Sequence, residues 1–314
     1  MYYIGVDLGG TNIVVGIVDA EGNIISKKSV KTYAQRPFDQ IVADMAACVN
    51  DLLGSAGIGL DDIKSIGIGS PGTLDTQTGV MVYANNFLHG TNVPLRDLMR
   101  RHIDKPVYLG NDANAAALGE VICGAAKGCN DVVMVTLGTG VGGGIVIDGK
   151  IYEGQYSAGA ELGHIMLIKD GEKCSCGRYG CWEAYASATA LVRQTRRAME
   201  TDPDSLMNSI SSLNSVNGRT AFIAAAQGDR TAQRVVDNYI EYVSDGLIDI
   251  VNIFRPEVII MGGGICNEGE NLLSPLRKRV NRFKYAGGLL PDQRIEAAKL
   301  GNDAGLIGAA LLVR

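Results

Sequence analysis

The chain has 314 residues with 29 basic and 34 acidic side chains, a net charge of −5 and no basic stripe, which disfavours binding to nucleic acid or to an anionic membrane surface. Hydrophobic residues at 46% and charged residues at 20% exclude wholesale disorder, and 41 glycines beside only 8 prolines, with no G-X-Y period, exclude a collagen. The length suggests about two domains, and the glycine surplus points either to many tight turns or to backbone brought close to ligands.

The predicted elements run as follows. Residues 3–8 read as a buried strand, 12–19 as a second, and a turn at Ala20-Glu21-Gly22-Asn23 leads into a third over Ile24 to Lys31. Ile41, Val42, Met45, Ala46, Val49, Leu52 and Leu53 fall at helical spacing. A strand over 63–69 ends in Ser70-Pro71-Gly72, and Pro94, at a first helical position, opens a short helix to Arg101. The strand 106–109 delivers Gly110-Asn111-Asp112 to its C-terminal end.

The order then restarts. A buried strand over 132–137 ends in glycines, 144–147 forms a second strand, Asp148-Gly149 a hairpin turn, and 150–153 the start of a third. The polar stretch 203–215 reads as a surface loop, and 232–254 as the best long helix. Strand 258–261 runs into Gly262-Gly263-Gly264, and a last helix over 304–313 follows Asn302-Asp303, read as its N-cap. Alternating strands and helices with a restart predict an α/β protein of two similar halves with a cleft between them. The expected division is a small domain over 1–113, completed by the C-terminal segment 302–314, and a large domain over 114–301. No apolar run approaches the ~18 residues of a membrane span, and Asp7 and the glycines interrupt any signal-peptide core, so the expected location is the cytoplasm.

Gly138-Thr139-Gly140-Val141-Gly142-Gly143 satisfies G-x-G-x-x-G, yet a strand and hairpin follow where a dinucleotide site needs a helix. A Walker A loop is absent as well, because Gly149-Lys150 is followed by Ile151. Asp7-Leu8-Gly9-Gly10-Thr11 and Leu137-Gly138-Thr139-Gly140 both sit at strand-to-strand turns, where glycine amides can face one anion and a threonine hydroxyl adds a donor. Asp7 could hold Mg²⁺ through water. Each turn alone could equally be a plain β-hairpin. Two matching turns heading two matching halves favour phosphate.

Three of the seven cysteines, Cys174, Cys176 and Cys181, crowd into a C-x-C-x₄-C run, and of the three histidines only His164 lies near. Three thiolates and one imidazole make a filled tetrahedral Zn²⁺ set, hence a structural ion, and three reduced cysteines in a glycine turn is the weaker reading. Cys48, Cys123, Cys129 and Cys266 read as small core residues. Asp112, at a strand end, is a candidate general base, with helix N-cap as the compatible alternative. Glu161 and Glu183 flank the zinc run, so an ion would pin both carboxylates in one locality.

Asp7-Leu8-Gly9-Gly10-Thr11, the run Leu137 to Gly144, Glu161-Leu162-Gly163-His164, the segment Cys174 to Glu183 and the closing segment Leu300 to Ala309 together resemble the repressor–open-reading-frame–kinase (ROK) family, most narrowly its bacterial glucokinases. The resemblance implies an actin-like ATPase (ribonuclease H-like) fold and ATP-dependent phosphorylation of a hexose 6-hydroxyl, glucose first. Under it, Asp112 takes the hydroxyl proton. Asn111, Glu161, Glu183, His164 and the Gly72 backbone hold the sugar, with Asn86 mapped onto the family's sugar-contacting asparagine. His164 would serve zinc through one ring nitrogen and sugar through the other. Asp7, Gly9, Gly10, Thr11, Asn12, Thr139 and Gly140 hold phosphates and Mg²⁺, and Gly262, Gly263 and Gly264 lie against adenosine. Asn85-Asn86-Phe87 departs from the family's Asn-Leu pair, which leaves fine sugar selectivity open among glucose, mannose, fructose, N-acetylmannosamine and N-acetylglucosamine. The family also implies a homo-oligomer, a dimer or tetramer. It includes sugar-sensing repressors with a helix-turn-helix ahead of the first glycine turn. Here that turn starts at residue 5, so the expected reading is an enzyme rather than a repressor or a non-catalytic sugar binder.

Overall fold

The computed structural model describes residues 1–313; Arg314, the last residue of the expected segment 302–314, lies outside the described residues. In chain order the first part comprises strands β1 (Tyr2–Leu8), β2 (Asn12–Val18) and β3 (Ile24–Lys31), helix α1 (Phe38–Ala56), strand β4 (Ile63–Ser70), the short strands β5 (Thr73–Asp75), β6 (Val80–Tyr83) and β7 (Thr91–Val93), helix α2 (Leu95–His102) and strand β8 (Val107–Asn111). Helix α3 (Asp112–Cys123), strands β9 (Val132–Leu137), β10 (Val141–Ile147) and β11 (Lys150–Ile151), and helices α4 (Glu183–Ala186), α5 (Ala188–Thr201), α6 (Met207–Ile210), α7 (Thr220–Ala226) and α8 (Arg230–Phe254) follow. Strand β12 (Val258–Gly262), helix α9 (Glu270–Phe283), strand β13 (Arg294–Ala297) and helix α10 (Ala304–Ala310) close the chain.

The expected restart is visible in the sheets. One has the order β3-β2-β1-β4-β8 and the other β11-β10-β9-β12-β13, so the same topology is built twice from successive stretches of chain. In each, a hairpin-linked antiparallel trio continues into later strands, and β1–β4, β4–β8 and β12–β13 pair in parallel. By packing, the chain divides into two compact units, residues 1–134, 144–160 and 298 onward in the first, 135–143 and 161–297 in the second. The two sheets lie on either side of residue 113, while α3 and the segment around β11 pack with the first unit.

Local chemistry explains most boundaries. The β2–β3 turn is closed by the Asp19 carboxylate, which accepts from the amides of Glu21 (3.0 Å) and Asn23 (2.8 Å). Asp148 and Gly149 both take positive φ (52° and 72°), the mirror-image hairpin turn that joins Ile147 to Lys150. The predicted apolar stripe of α1 is buried throughout, as is that of α8. Several expectations need correction. Pro94 stands at the N-cap of α2, one position before the first helical residue. The third strand of the second hairpin stops at Ile151, short of Glu153, and the stretch 203–215 contains the turn of α6 with Met207 fully buried. Helix α10 ends at Ala310, not Val313, and Asp303 does not cap it with its side chain because the carboxylate is spent on Lys27 (2.6 Å).

Glycine lets α10 reach the first sheet. It packs on β1, β4 and α3, and a Cβ at Gly67 would run into the Ala309 carbonyl. Gly5 is closed in the same way by the Leu306 carbonyl. Among the described residues no helix is long and apolar enough to cross a membrane.

Candidate functional site

In the first unit the site residues gather at the C-terminal ends of three parallel strands. Register places Asp7 of β1 beside Gly69 of β4, Gly69 beside Gly110 of β8, and Ser70 beside Asn111. Such an edge, where strand ends meet loops and helix N-termini, is where open α/β sheets bind ligands. Asn111, not Asp112, caps α3, its Oδ1 accepting from the amides of Ala113 (2.9 Å) and Asn114 (3.3 Å). Its Nδ2 donates to the Gly72 carbonyl at 3.4 Å, and Gly72 has φ 90° with Tyr83 and Ala84 backbone where a Cβ would stand. The cap therefore holds two expected sugar-binding groups together and leaves Asp112, the first helical residue, open to solvent at the strand end.

There the charge of Asp112 reaches Asp7. Burial raises the pKa of Asp7 from 3.8 to about 6, and the charge of Asp112 adds to the shift. Burial also raises Asp112, against a partly offsetting hydrogen bond from the Ala113 amide at 2.8 Å. Next to Asp7, the first glycine turn is held by Gly9 N–H to Asn12 carbonyl (3.0 Å) and by the Thr32 hydroxyl on the Gly9 carbonyl (2.7 Å). The amides of Gly10 and Thr11 find no acceptor among the described residues. Asn86 lies against this turn, 3.2 Å from where a Gly10 Cβ would stand, and Phe87 behind it is buried on Phe38.

The raised pKa of Asp7 has a stability consequence. A carboxylate harder to ionise in the folded chain than in the unfolded one costs stability as pH rises from 3.8 to about 6, and the cost stays constant above that. Asp7→Asn is therefore expected to stabilise the fold at pH ~8 by up to about 3 kcal/mol, an advantage that vanishes below pH ~4. Denaturant unfolding at the two pH values checks it; a variant less stable than the parent at the higher pH contradicts the assignment.

In the second unit the turn after β9 repeats the design. Gly138 N–H bonds the Gly140 carbonyl (3.0 Å), the Gly138 carbonyl accepts from Ala188 N–H (2.8 Å), and the Thr189 hydroxyl holds the Thr139 carbonyl (2.8 Å). The amides of Thr139 and Gly140 are left without an acceptor among the described residues. Gly263, with φ 89°, lies against the Leu137 backbone where no Cβ would fit, so the Gly262–Gly264 run adjoins this turn.

His164, Cys174, Cys176 and Cys181 come together with all four ligand atoms within 4.8 Å of one another. Cys174 Sγ is 3.6 Å from His164 Nδ1, and the Sγ atoms of Cys176 and Cys181 are 3.7 Å apart. Tetrahedral Zn²⁺, with Zn–S of ~2.3 Å and Zn–N of ~2.0 Å, needs S···S and S···N edges of about 3.8 and 3.5 Å. The donor set fits the ion in type and number, and these two edges match its spacing. The loop closes on itself through the Cys174 amide to the Arg178 carbonyl (2.8 Å), with Gly177 and Gly180 at φ 90° and 80°. Nδ1 faces the thiols, and the other ring nitrogen of His164 has no partner among the described residues.

Trp182, the only tryptophan, is fully buried, donates to the Tyr242 carbonyl (2.8 Å) and lies on Gly246 of α8, where a Cβ would overlap its ring. It anchors the start of α4, and Glu183 follows. The Glu183 carboxylate accepts from the Ser175 hydroxyl (2.7 Å) and from the Val141 amide (3.1 Å). Glu161 precedes the helical turn carrying His164, with its side chain exposed.

The ROK family model matches residues 3–314. The chain belongs to the ROK family. Among its relatives is the glucokinase of Streptomyces coelicolor, 39% identical over 318 aligned positions that cover 99% of this chain and 97% of that protein. Two solved ROK structures superpose over 99% of this chain. The glucokinase of Streptomyces griseus in complex with glucose and AMPPNP has 38% identity, a TM-score of 0.82 and 99% coverage of its own chain. The ROK hexokinase of Thermus thermophilus has 34% identity, a TM-score of 0.85 and 97% coverage. The fold of this ROK chain is accordingly the actin-like ATPase fold, with its two repeated sheets.

Proposed function

We propose that this ROK chain is an ATP-dependent glucokinase, which transfers the γ-phosphoryl group of ATP to the 6-hydroxyl of glucose. The observation that carries the reading is full-length likeness to glucokinases, one of them solved with glucose and AMPPNP. Gly72, Asn86, Asn111, Asp112, Glu161, His164 and Glu183 hold the sugar in this reading. The turns bearing Asp7, Gly9, Gly10, Thr11 and Asn12 and bearing Thr139 and Gly140 take the phosphates, and Gly262, Gly263 and Gly264 lie against the adenosine. Four amides without acceptors at two glycine turns support it, because such groups favour an anion.

Phosphoryl transfer is mainly positioning and charge stabilisation. Asp112 takes the 6-hydroxyl proton as that oxygen bonds phosphorus and ADP leaves. Its raised pKa makes it a better proton acceptor than an ordinary aspartate, provided it is ionised. Asp7, a desolvated carboxylate under the charge of Asp112, would hold a divalent cation there, and Mg²⁺ when bound would neutralise phosphate charge. Zinc would be held by His164, Cys174, Cys176 and Cys181 and would be structural, since a set filled by four protein ligands leaves no position for substrate. The reading places the enzyme in the cytoplasm as a homo-oligomer, and light scattering would give the mass.

The test is a coupled assay of ADP release. Consumption of ATP that depends on glucose is expected, with glucose ranking first by kcat/KM in a panel of hexoses. No ATP consumption with any hexose overturns the reading. A different leading sugar would favour a broader hexokinase, a second reading supported by the Thermus thermophilus neighbour and by Phe87 after the Asn85-Asn86 pair.

A further inference from the structure

We propose that Ser175, the residue between two of the zinc-type cysteines, is a positioning residue for Glu183 and sets the enzyme's affinity for its sugar. The inference rests on the reading of Glu183 as a sugar ligand and names what aims it.

A carboxylate on a flexible side chain is a poor ligand for a pair of sugar hydroxyls unless the plane of its two oxygens is fixed. Here each oxygen is held separately. Oε1 accepts from the Ser175 hydroxyl at 2.7 Å, with Cys174 Sγ at 3.6 Å beside it, and Oε2 accepts from the Val141 amide at 3.1 Å. The backbone is fixed as well, because Glu183 follows the buried Trp182 and opens α4. An ionised carboxylate offers about four acceptor positions. With Cys174 ionised as a metal ligand and no longer a donor to Oε1, two are occupied, by Ser175 and Val141, and one on each oxygen remains for two neighbouring hydroxyls.

The two donors are not equivalent. The Val141 amide belongs to the strand following the glycine turn, and no substitution short of proline removes it. The Ser175 hydroxyl is the only side-chain O–H on the carboxylate among the described residues, and its place is set by the closed cysteine loop, through the Cys174 amide on the Arg178 carbonyl. Ser175 is itself exposed, so its loss opens no cavity. Without it the carboxylate is held at Oε2 alone and its plane is free to turn about the last torsion of the side chain. A filled metal set would keep the loop closed, so the ion would act on Glu183 indirectly, through Ser175, beside its effect on the ring of His164.

The experiment compares Ser175→Ala, Ser175→Thr and Glu183→Gln with the parent enzyme. Glucose Kd is measured by titration calorimetry, KM and kcat in the coupled assay, and bound zinc by elemental analysis. Loss of a hydrogen bond to a charged group predicts that Ser175→Ala weakens glucose Kd and raises glucose KM about tenfold. Zinc content is expected to stay at the parent level and kcat within about twofold, with Ser175→Thr restoring affinity because it keeps the hydroxyl. An unchanged glucose Kd in Ser175→Ala, while Glu183→Gln is impaired, overturns the positioning role and leaves Glu183 as a ligand. A loss of affinity that tracks zinc loss and is not restored by threonine overturns it too, as a structural effect. Unchanged affinity in Glu183→Gln removes the sugar-ligand reading itself.

Discussion

Asp112→Asn is expected to lower kcat for glucose phosphorylation by about 10²–10⁴-fold, with the KM for ATP within about twofold of the parent. The substitution is nearly isosteric, and an asparagine oxygen can still accept from the Ala113 amide that Asp112 Oδ1 holds at 2.8 Å. The cap of α3 is supplied by Asn111, so the helix start survives. What is lost is the capacity to take a proton. A variant retaining near-parental kcat in steady-state assays would sink the assignment of Asp112 as base.

The pH dependence of the parent enzyme follows from the same pair. Burial raises both carboxylates, Asp7 to about 6, so activity is expected to fall on acidification well above pH 3.8, where an ordinary aspartate protonates. The sign is that of a base: activity is present above the raised pKa and is lost as pH drops through it. Because the two groups repel each other, the limb belongs to the pair rather than to one residue. In Asp7→Asn the repulsion is gone, and the limb is expected to move to lower pH.

The second large effect is expected from the cysteine loop. Purified protein should carry about one zinc per chain, and Cys181→Ser should lose it. Structural zinc in small domains contributes apparent binding energies of ~10–16 kcal/mol, comparable to or above the ~5–15 kcal/mol stability of a whole domain. If only about 3 kcal/mol of that is realised in a unit this large, Tm falls by about 6–12 °C. Cys181 and Cys174 are buried, so the loop cannot shed them into water without unravelling. Glucose affinity should fall with it, since His164 and the Ser175–Glu183 contact sit on the same loop. Calorimetric unfolding and metal content check this together; a stable, fully active protein without zinc contradicts a structural role.

The features legible in the residues were those whose cause is local. The Asp148-Gly149 hairpin follows from two residues that tolerate positive φ, the α8 stripe from a 3.6-residue period, and the zinc-type cluster from covalent spacing that leaves three cysteines little choice of neighbour. The restart near residue 132 was legible because each half begins with the same order of strands and glycine turns, and the sheets bear it out with one topology used twice. Helix α9 was missed, although Leu272, Leu273, Leu276 and Val280 carry its buried face, because Pro275 interrupts the pattern.

The glycine surplus divides between the two kinds of cause. Gly9, Gly10, Gly138 and Gly140 are at the turns the strand pattern marks. Gly5, Gly67 and Gly246 are not at turns at all: they make room for a helix carbonyl or for the Trp182 ring more than 60 residues away in sequence. No local rule distinguishes the second group, since which backbone will approach is decided only when the elements pack. The same holds for the chemistry. The sequence by itself determined that a glycine-turn kinase fold with a cysteine-bound metal site was to be expected. Only the tertiary structure decided that Asn111 rather than Asp112 caps α3, that burial and the charge of Asp112 raise Asp7, and that Ser175 and Val141 hold the Glu183 carboxylate. Those are distances between side chains on different elements, and burial, not spacing along the chain, sets their energies.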